Sequence, residues 1–450
     1  MQSIIPNNLT ILAQACPTSL YVVGGVVRDF LANLSPNKKR DWDICAPLLP
    51  ESFIPIAEQC GFHICSAYKN TGTLKLKDKD GDEYEYSCFR SDKYVRGVHR
   101  PTNVCFTEDI ALDATRRDFT ANAVYYDIAK QRFIDPLDGI SAIKEKRLTT
   151  VAPAEKVFGE DGLRLMRLAR QVAMLGFTPD EACLQGAKRN ASLITDISPE
   201  RIFTELCSIL HADEKYGVQY GQYYGLKMLD EIGVLKEIIP ELALGKGMTQ
   251  RADFHDHDVL EHTLRTVKYA DKSVRFSALF HDIGKPFCEL RDGSSKAHPI
   301  EGARLTREIL SRLRAPNSLI EETATLVELH MYDLDGKTSE NKLRRFLVKN
   351  YTVLDKLLLV KQADFSGCKD DLSPAPTCVR WNKLLSKMRE ENVPFTLRSL
   401  AVTGKDLFEA GYPAPSLSTL LNKLLLHTAV NTKDNQKATL IKLAKGYFQT

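Results

Sequence analysis

The sequence holds little material for export, membrane insertion or repetition. No run in the 450 residues approaches the ~18 uninterrupted apolar residues that a membrane helix needs. The opening stretch, MQSIIPNNLTILAQACPTSLYVV, lacks the basic start and apolar run of a signal peptide. The 11 cysteines are scattered and include no C-x-x-C pair. Without export they are most simply reduced core residues, and a cytoplasmic location is expected. There is no internal repeat and no low-complexity tract. A net charge of +3 permits nucleic-acid binding without arguing for it. Hydrophobic residues at 43% and charged residues at 26% exclude wholesale disorder, and the length suggests about three domains.

What is present changes character along the chain. Before about residue 150, short β-type runs mix with helical patterns. Tyr21-Val22-Val23 ends in Gly24-Gly25, and Asp41 to Cys45 alternates polar and apolar. Thr73 to Lys77 and Glu83 to Phe89 flank an Asp80-Gly81 hairpin signal. From Glu160 onward the period is helical, and no strand of comparable strength is expected after about Asp138. Ser198-Pro199 predicts an N-cap and a first-turn proline opening a helix over Glu200 to Leu210. The fold class is therefore α+β: a head with a small sheet, then an all-helical remainder. Gly245-Lys246-Gly247 precedes a region rich in histidine, with seven of the ten histidines between His211 and His330. Ser373-Pro374-Ala375-Pro376 reads as a linker to a charged helical tail.

Several segments carry candidate chemistry. Gly24-Gly25-Val26-Val27-Arg28-Asp29 follows a strand and opens a helix. Glycine lets a ligand approach the backbone, and helix N–H groups with Arg28 suit a phosphate; the same turn also occurs with no ligand. In Asp41-Trp42-Asp43-Ile44, a strand would turn Trp42 and Ile44 to the core and both aspartates to the opposite surface. Cα atoms two residues apart, roughly 6.5 Å, suit two carboxylates sharing the Mg²⁺ ions of two-metal nucleotidyl transfer. An exposed acidic turn is the plainer alternative. Glu85, mid-strand, would face solvent or a metal.

Arg117, Asp118 and Asn122 in the RRDFTANA segment could hold a triphosphate and a ribose hydroxyl, or belong to a capped amphipathic helix. Arg164, Arg167 and Arg170 recur every three residues and form a ridge rising roughly 4.5 Å per step. That ridge could reach a base, a triphosphate and an RNA backbone. Asp161, one turn before Arg164, adds an acceptor to that fork of donors, enough to match base edges. A salt-bridged solvent face would look the same in sequence. Phe89 to Arg100 is a basic stretch with interleaved Tyr and His.

The order of GGVVRD, DWD, RRDFTANAVYYD, Asp135-Pro136-Leu137-Asp138-Gly139 and Glu160-Asp161-Gly162-Leu163-Arg164 closely resembles the class II tRNA nucleotidyltransferases. These are the CCA-adding enzymes, which share their head with bacterial poly(A) polymerases. The resemblance covers residues 21 to about 210. It implies a polymerase β-like head, with Asp41 and Asp43 as the metal-binding catalytic pair. It also implies that Gly25, Arg28 and Arg117 contact the incoming nucleotide, and that Asp161 and Arg164 form a protein template pairing with CTP or ATP. The Phe89 to Arg100 stretch looks like the family's flexible loop. Leu400 to Leu407 resembles its C-terminal segment, departing at Pro413-Ala414-Pro415-Ser416.

Phe280-His281-Asp282-Ile283-Gly284-Lys285-Pro286 resembles the signature of HD-domain metal phosphohydrolases. His262, His281, Asp282, His298, His330 and Asp364 would complete its ligand set, holding a transition metal (Ni, Mn, Co, Fe or Zn).

The expected organisation is a head over 1–150, a helical neck and body over 151–250, an HD domain over 251–370 and a tRNA-contacting tail over 371–450. The expected function is addition of C, C and A from CTP and ATP to tRNA 3′ ends with Mg²⁺. The acceptor stem and elbow of tRNA are the expected partners, with no membrane partner. The alternatives are a CC-adding enzyme, an A-adding enzyme, a poly(A) polymerase, or an RNA-binding metal phosphohydrolase with an inactive head. The sequence leaves the oligomeric state open.

Overall fold

The alternation in the first strands decides the head. The computed structural model describes residues 1–37, 40–94, 102–250 and 256–448. Its strands are β1 (Tyr21–Val23), β2 (Trp42–Ala46), β3 (His63–Tyr68), β4 (Thr73–Lys77), β5 (Glu83–Cys88), β6 (Arg90–Lys93), β7 (Asn103–Phe106), β8 (Tyr125–Asp127) and β9 (Arg132–Ile134). Seven of them form one sheet in the order β3-β4-β5-β2-β1-β8-β9, while β6 and β7 pair as a separate ribbon. Only β2 and β5 run parallel within the large sheet; its other neighbours are antiparallel. The Asp80-Gly81 signal does mark the β4–β5 hairpin.

Successive side chains on a strand take opposite faces. Val22, Trp42, Ile44, Tyr84, Tyr86 and Tyr126 thus fall on one face. They pack there with Leu9, Leu12, Val26, Val27 and Phe53 from the helices Asn7–Ala15, Gly25–Leu31 and Pro50–Gln59. Phe53 stacks on Tyr86 with ring centroids 3.7 Å apart. On the other face Val23, Cys45, Phe89 and Tyr125 make a smaller core with Ala114, Val151 and Val157. Asp43 and Glu85 share that second face beside it, so one side of the sheet is sealed and the other is part core, part acidic floor.

The chain folds as two units, Met1–Ala243 with Arg312–Arg314, and the remainder. In the first unit the helix Leu163–Leu175 packs with Pro199–Leu210 and Gly221–Glu231. Pro199 does open its helix, with Ser198 as the N-cap. One departure from expectation is a further parallel pair, β10 (Arg147–Leu148) with β11 (Thr178–Pro179). Two residues per strand are too short to show a period of two.

Among its described residues the second unit contains no strand. The helices Val259–Tyr269 and Leu354–Lys369 lie against one another. Residues 371–375 are held to the latter, where Gln362 donates to Ser373 O at 2.9 Å and accepts from Ala375 N at 2.8 Å. The helix Pro376–Glu390 brings Trp381, fully buried, to Asp333, whose Oδ2 accepts from the indole Nε1 at 2.8 Å. Arg380 also donates to Asp333. Lys361, buried, donates to the carbonyls of His330 (2.6 Å) and Tyr332 (2.7 Å).

Gly225 sits where three helices meet: a Cβ there would lie 2.6 Å from Ile209 Cγ2 and 2.8 Å from Ala173 Cβ. Gly446, near the end of the last helix, has open space around it. Gly225→Ala should therefore destabilise the first unit by about 1–3 kcal/mol through overpacking. Gly446→Ala should be neutral or stabilising by up to ~1 kcal/mol. Denaturant unfolding of both variants against wild type checks the opposite signs.

Candidate active site and candidate metal centre

Where β1 ends, Gly24 turns with φ +77°, a conformation that L side chains rarely adopt. Val23 pairs with Asp43 on β2, so the turn lies over the aspartate. A Cβ on Gly24 would come 2.8 Å from Asp43 Oδ2. Glycine is needed here for backbone conformation and for room beside a carboxylate. Asp43 pairs in parallel register with Glu85 on β5, and Asp41 lies just before β2. Burial, with Glu85 and Asp41 nearby, pushes the Asp43 carboxyl up to about 6 against the pull of Arg117 and Arg167. Three carboxylates converge on one surface that favours added positive charge.

That surface is the floor of a cleft of about 720 Å³. The lining includes all thirteen residues expected for catalysis and nucleotide binding: Gly24, Gly25, Arg28, Asp41, Asp43, Glu85, Arg117, Asp118, Asn122, Asp161, Arg164, Arg167 and Arg170. In total nine arginines and Lys215 face seven carboxylates, an excess of cationic side chains suited to a polyphosphate. Residues 95–100, half of the expected flexible loop, lie outside the described residues.

The arginine ridge is held differently from the free fork drawn from sequence. Arg164 is buried and donates to Val157 O (2.9 Å), Glu160 Oε2 (3.0 Å) and Arg116 O (2.7 Å). Arg167 donates through Nε and Nη2 to Asp118 Oδ2 at 2.8 and 2.6 Å, and Arg170 pairs with Glu205 at 2.7 Å. Asp161 accepts from Leu163 N at 3.0 Å and lies 3.5 Å from Arg201. Arg28 is locked by Asp29 (2.7 Å), Asn122 (2.7 Å) and Gln171 (3.2 Å). Arg117 is held by Tyr125 OH and Asp113, both at 3.1 Å. Each guanidinium is thus fixed by protein acceptors, which sets its direction before any ligand arrives.

Of the residues that do the fixing, Asp118 and Asn122 were expected at the site, whereas Asp113, Gln171 and Tyr216 were missed. Asp113 is fully buried and accepts from Arg116, Arg117 and Tyr125 OH. Tyr216 donates to Asp29 Oδ2 at 2.6 Å and accepts from Arg28 at 3.2 Å. Its neighbour Lys215 reaches Asp41 Oδ2 at 3.5 Å. No motif marks Asp213-Glu214-Lys215-Tyr216, so only the fold could find this turn.

In the second unit the six expected ligands converge. His262 Nε2 lies 3.1 Å from both His281 Nε2 and Asp364 Oδ1. Asp282 sits between two histidine pairs. Its Oδ2 is 3.2 Å from His281 Nε2, and its Oδ1 is 3.2 Å from His298 Nε2 and 3.8 Å from His330 Nε2. The Nδ1 atoms of His281, His298 and His330 bond the carbonyls of Ala278, Ser295 and Val327 at 2.8, 2.6 and 2.6 Å. This leaves each Nε2 for a ligand, the usual support of a metal-binding imidazole. Burial, with His298 and His281 adjacent, pushes His330 down to about 3, so its ring is a neutral donor. Lys285 Nζ is 2.6 Å from Asp282 Oδ2. Asp258 caps the helix Val259–Tyr269 by accepting from Glu261 N at 2.7 Å.

The chain matches three families in order. They are the "Poly A polymerase head domain" over 20–149, the "Probable RNA and SrmB- binding site of polymerase A" over 176–244, and the "HD domain" over 259–364. It is 32% identical to the A-adding tRNA nucleotidyltransferase of Deinococcus radiodurans over 365 residues, 77% of this chain and 76% of that one. It is 30% identical to the CCA-adding enzyme of Geobacillus stearothermophilus over 398 residues, 88% and 84% of the two chains. The fold is similar to the crystal structure of the Bacillus stearothermophilus CCA-adding enzyme in complex with CTP, with TM-score 0.67, 24% identity and coverage of 99% and 98%. The chain belongs to the class II tRNA nucleotidyltransferase family, the CCA-adding enzymes and their poly(A) polymerase relatives.

Proposed function

We propose that this protein is a CCA-adding enzyme, extending tRNA 3′ ends with C, C and A from CTP and ATP. The observation that carries the reading is the three-carboxylate floor under the Gly24 turn, enclosed by arginines held in fixed directions. Asp41, Asp43 and Glu85 offer hard oxygen donors from the middle strands of the sheet, which fit Mg²⁺. Bound there, Mg²⁺ supplies activation of the tRNA 3′-hydroxyl and neutralisation of the leaving pyrophosphate. Arg28, Arg117 and Arg167 receive the triphosphate, and Asp118 and Asn122 hold Arg167, Arg28 and the sugar side of the cleft. Asp161 and Arg164 read the base, Arg170 faces the RNA, and the 371–450 tail contacts the tRNA. The acceptor stem and elbow of tRNA are the macromolecular partner, and the cytoplasm is the working compartment. The histidine cluster would hold a transition metal (Ni, Mn, Co, Fe or Zn) and support a secondary phosphohydrolase activity.

A second reading is an A-adding enzyme, favoured by the 32% identity to a relative of that name. Transcripts ending in the discriminator base, in C and in CC, incubated with CTP and ATP together, distinguish the two. A CCA-adding enzyme extends all three to CCA, and an A-adding enzyme extends only the last.

Asp41→Ala and Asp43→Ala should each lower incorporation by about 100-fold or more, since each removes charge stabilisation from the transition state. Circular dichroism should show the fold retained; near-normal incorporation by either variant would refute the assignment. Asp161→Ala should relax discrimination against UTP and GTP by roughly tenfold or more, the worth of a charged hydrogen bond. The lost bond to Leu163 N would also cost some stability, so the decisive measurement is the ratio of kcat/KM across four nucleotides. Unchanged ratios would leave Asp161 as a helix cap only.

Metal analysis of the purified protein should find a divalent transition metal that His281→Ala and Asp282→Ala lose while nucleotide addition persists. A metal-free wild type with no hydrolysis in Ni²⁺, Mn²⁺ or Co²⁺ would reduce the cluster to a structural role.

A further inference from the structure

The histidine–aspartate cluster has a sulfur atom at one end that belongs to none of the six expected ligands. Cys368 follows Asp364 by one turn on the helix Leu354–Lys369, and residues four apart share a helix face. A ring nitrogen of His262, a carboxylate oxygen of Asp364 and the Cys368 Sγ all lie within 4.8 Å of one another. Among the described residues, Cys368 is the one cysteine placed in such a group. The two helices that bring these groups together have no room to slide. A Cβ on Gly367 would lie 2.5 Å from Thr266 Oγ1 and 2.8 Å from Thr266 N. The thiol is therefore presented to His262 and Asp364 by a tightly packed helix pair.

We propose that Cys368 is a sulfur donor to this cluster, binding a thiophilic divalent cation together with His262 and Asp364. The proposal rests on the reading of the cluster as a metal centre. A cation with nitrogen at about 2.0–2.1 Å and sulfur at about 2.3 Å, in tetrahedral array, has ligand atoms roughly 3.6 Å apart. The three donors, now within 4.8 Å of one another, would have to close by about 1 Å around the cation. The step is balanced: the thiol gives its proton to solvent as the cation binds, and a metal–thiolate bond replaces S–H. A mixed imidazole, carboxylate and thiolate set favours Zn²⁺, Co²⁺ or Fe²⁺ over Mg²⁺. The head cleft has no cysteine in its lining, so the two centres would sort cations by donor chemistry.

The test is titration of the full-length, chelator-stripped protein with Co²⁺ under anaerobic conditions. Wild type should develop visible d–d bands together with a near-ultraviolet thiolate-to-cobalt charge-transfer band. Cys368→Ser and Cys368→Ala should keep the visible bands, lose the near-ultraviolet band and bind Co²⁺ about tenfold or more weakly. Alkylation by N-ethylmaleimide, read by peptide mass spectrometry, should be suppressed at Cys368 by Co²⁺ or Zn²⁺. Labelling of the exposed Cys65 and Cys105 should stay unchanged. Visible bands without the charge-transfer band, or equal affinity in Cys368→Ala, would overturn the proposal and leave the cluster a nitrogen–oxygen site. Cobalt uptake by wild type no greater than by His281→Ala would overturn the metal reading and this proposal together.

Discussion

A partly desolvated carboxylate needs positive charge nearby, and much of the first unit is arranged around that requirement at Asp43. The sheet register places Glu85 beside it, which makes the demand larger. Arg117 and Arg167 answer it from across the cleft. These arginines are in turn held by Asp113 and Asp118, both buried. Asp118 is kept ionised far below the usual carboxylate range by Arg167 and Asn122, which outweigh its burial. Charge alternates outward from the sheet: acid, arginine, acid. Because the outer acids fix the arginines, an incoming polyanion meets donors already oriented, and little side-chain entropy remains to be lost on binding.

The second unit solves a different problem with softer ligands. Three of its histidines are fixed through Nδ1 by backbone carbonyls at helix ends, and one aspartate sits between two histidine pairs. Oxygen donors on a sheet and nitrogen donors on helices favour different cations. One chain can therefore hold two chemistries with little competition between them for metal.

Sequence made the acidic floor legible because β2 is half-buried. Apolar Trp42 and Ile44 alternating with Asp41 and Asp43 fit a strand with one polar face. Glu85 was legible for the same reason, between Tyr84 and Tyr86. The histidine ligands were visible by type and order, although more than a hundred residues separate His262 from Asp364. The ion-pair partners were not visible, since Arg28 joins Asp29, Asn122, Gln171 and Tyr216 across the whole unit. No periodicity encodes such distances, so the arginine ridge looked freer in sequence than it is. The two-residue strands β10 and β11 were hidden for want of length, and the turn carrying Lys215 and Tyr216 for want of any motif.

The contact between Trp381 and Asp333 bears on how such a chain can be rearranged over evolutionary time. Asp333 lies three residues beyond His330, and its carboxylate is satisfied in part by Trp381 and Arg380, from beyond the 371–375 connection. A gene ending near residue 370 would leave this acid short of two of its donors, beside Lys361, which anchors the His330 carbonyl. A truncation or domain exchange that is to spare these bonds has to keep the helix Pro376–Glu390 with the histidine cluster, and can cut only past it.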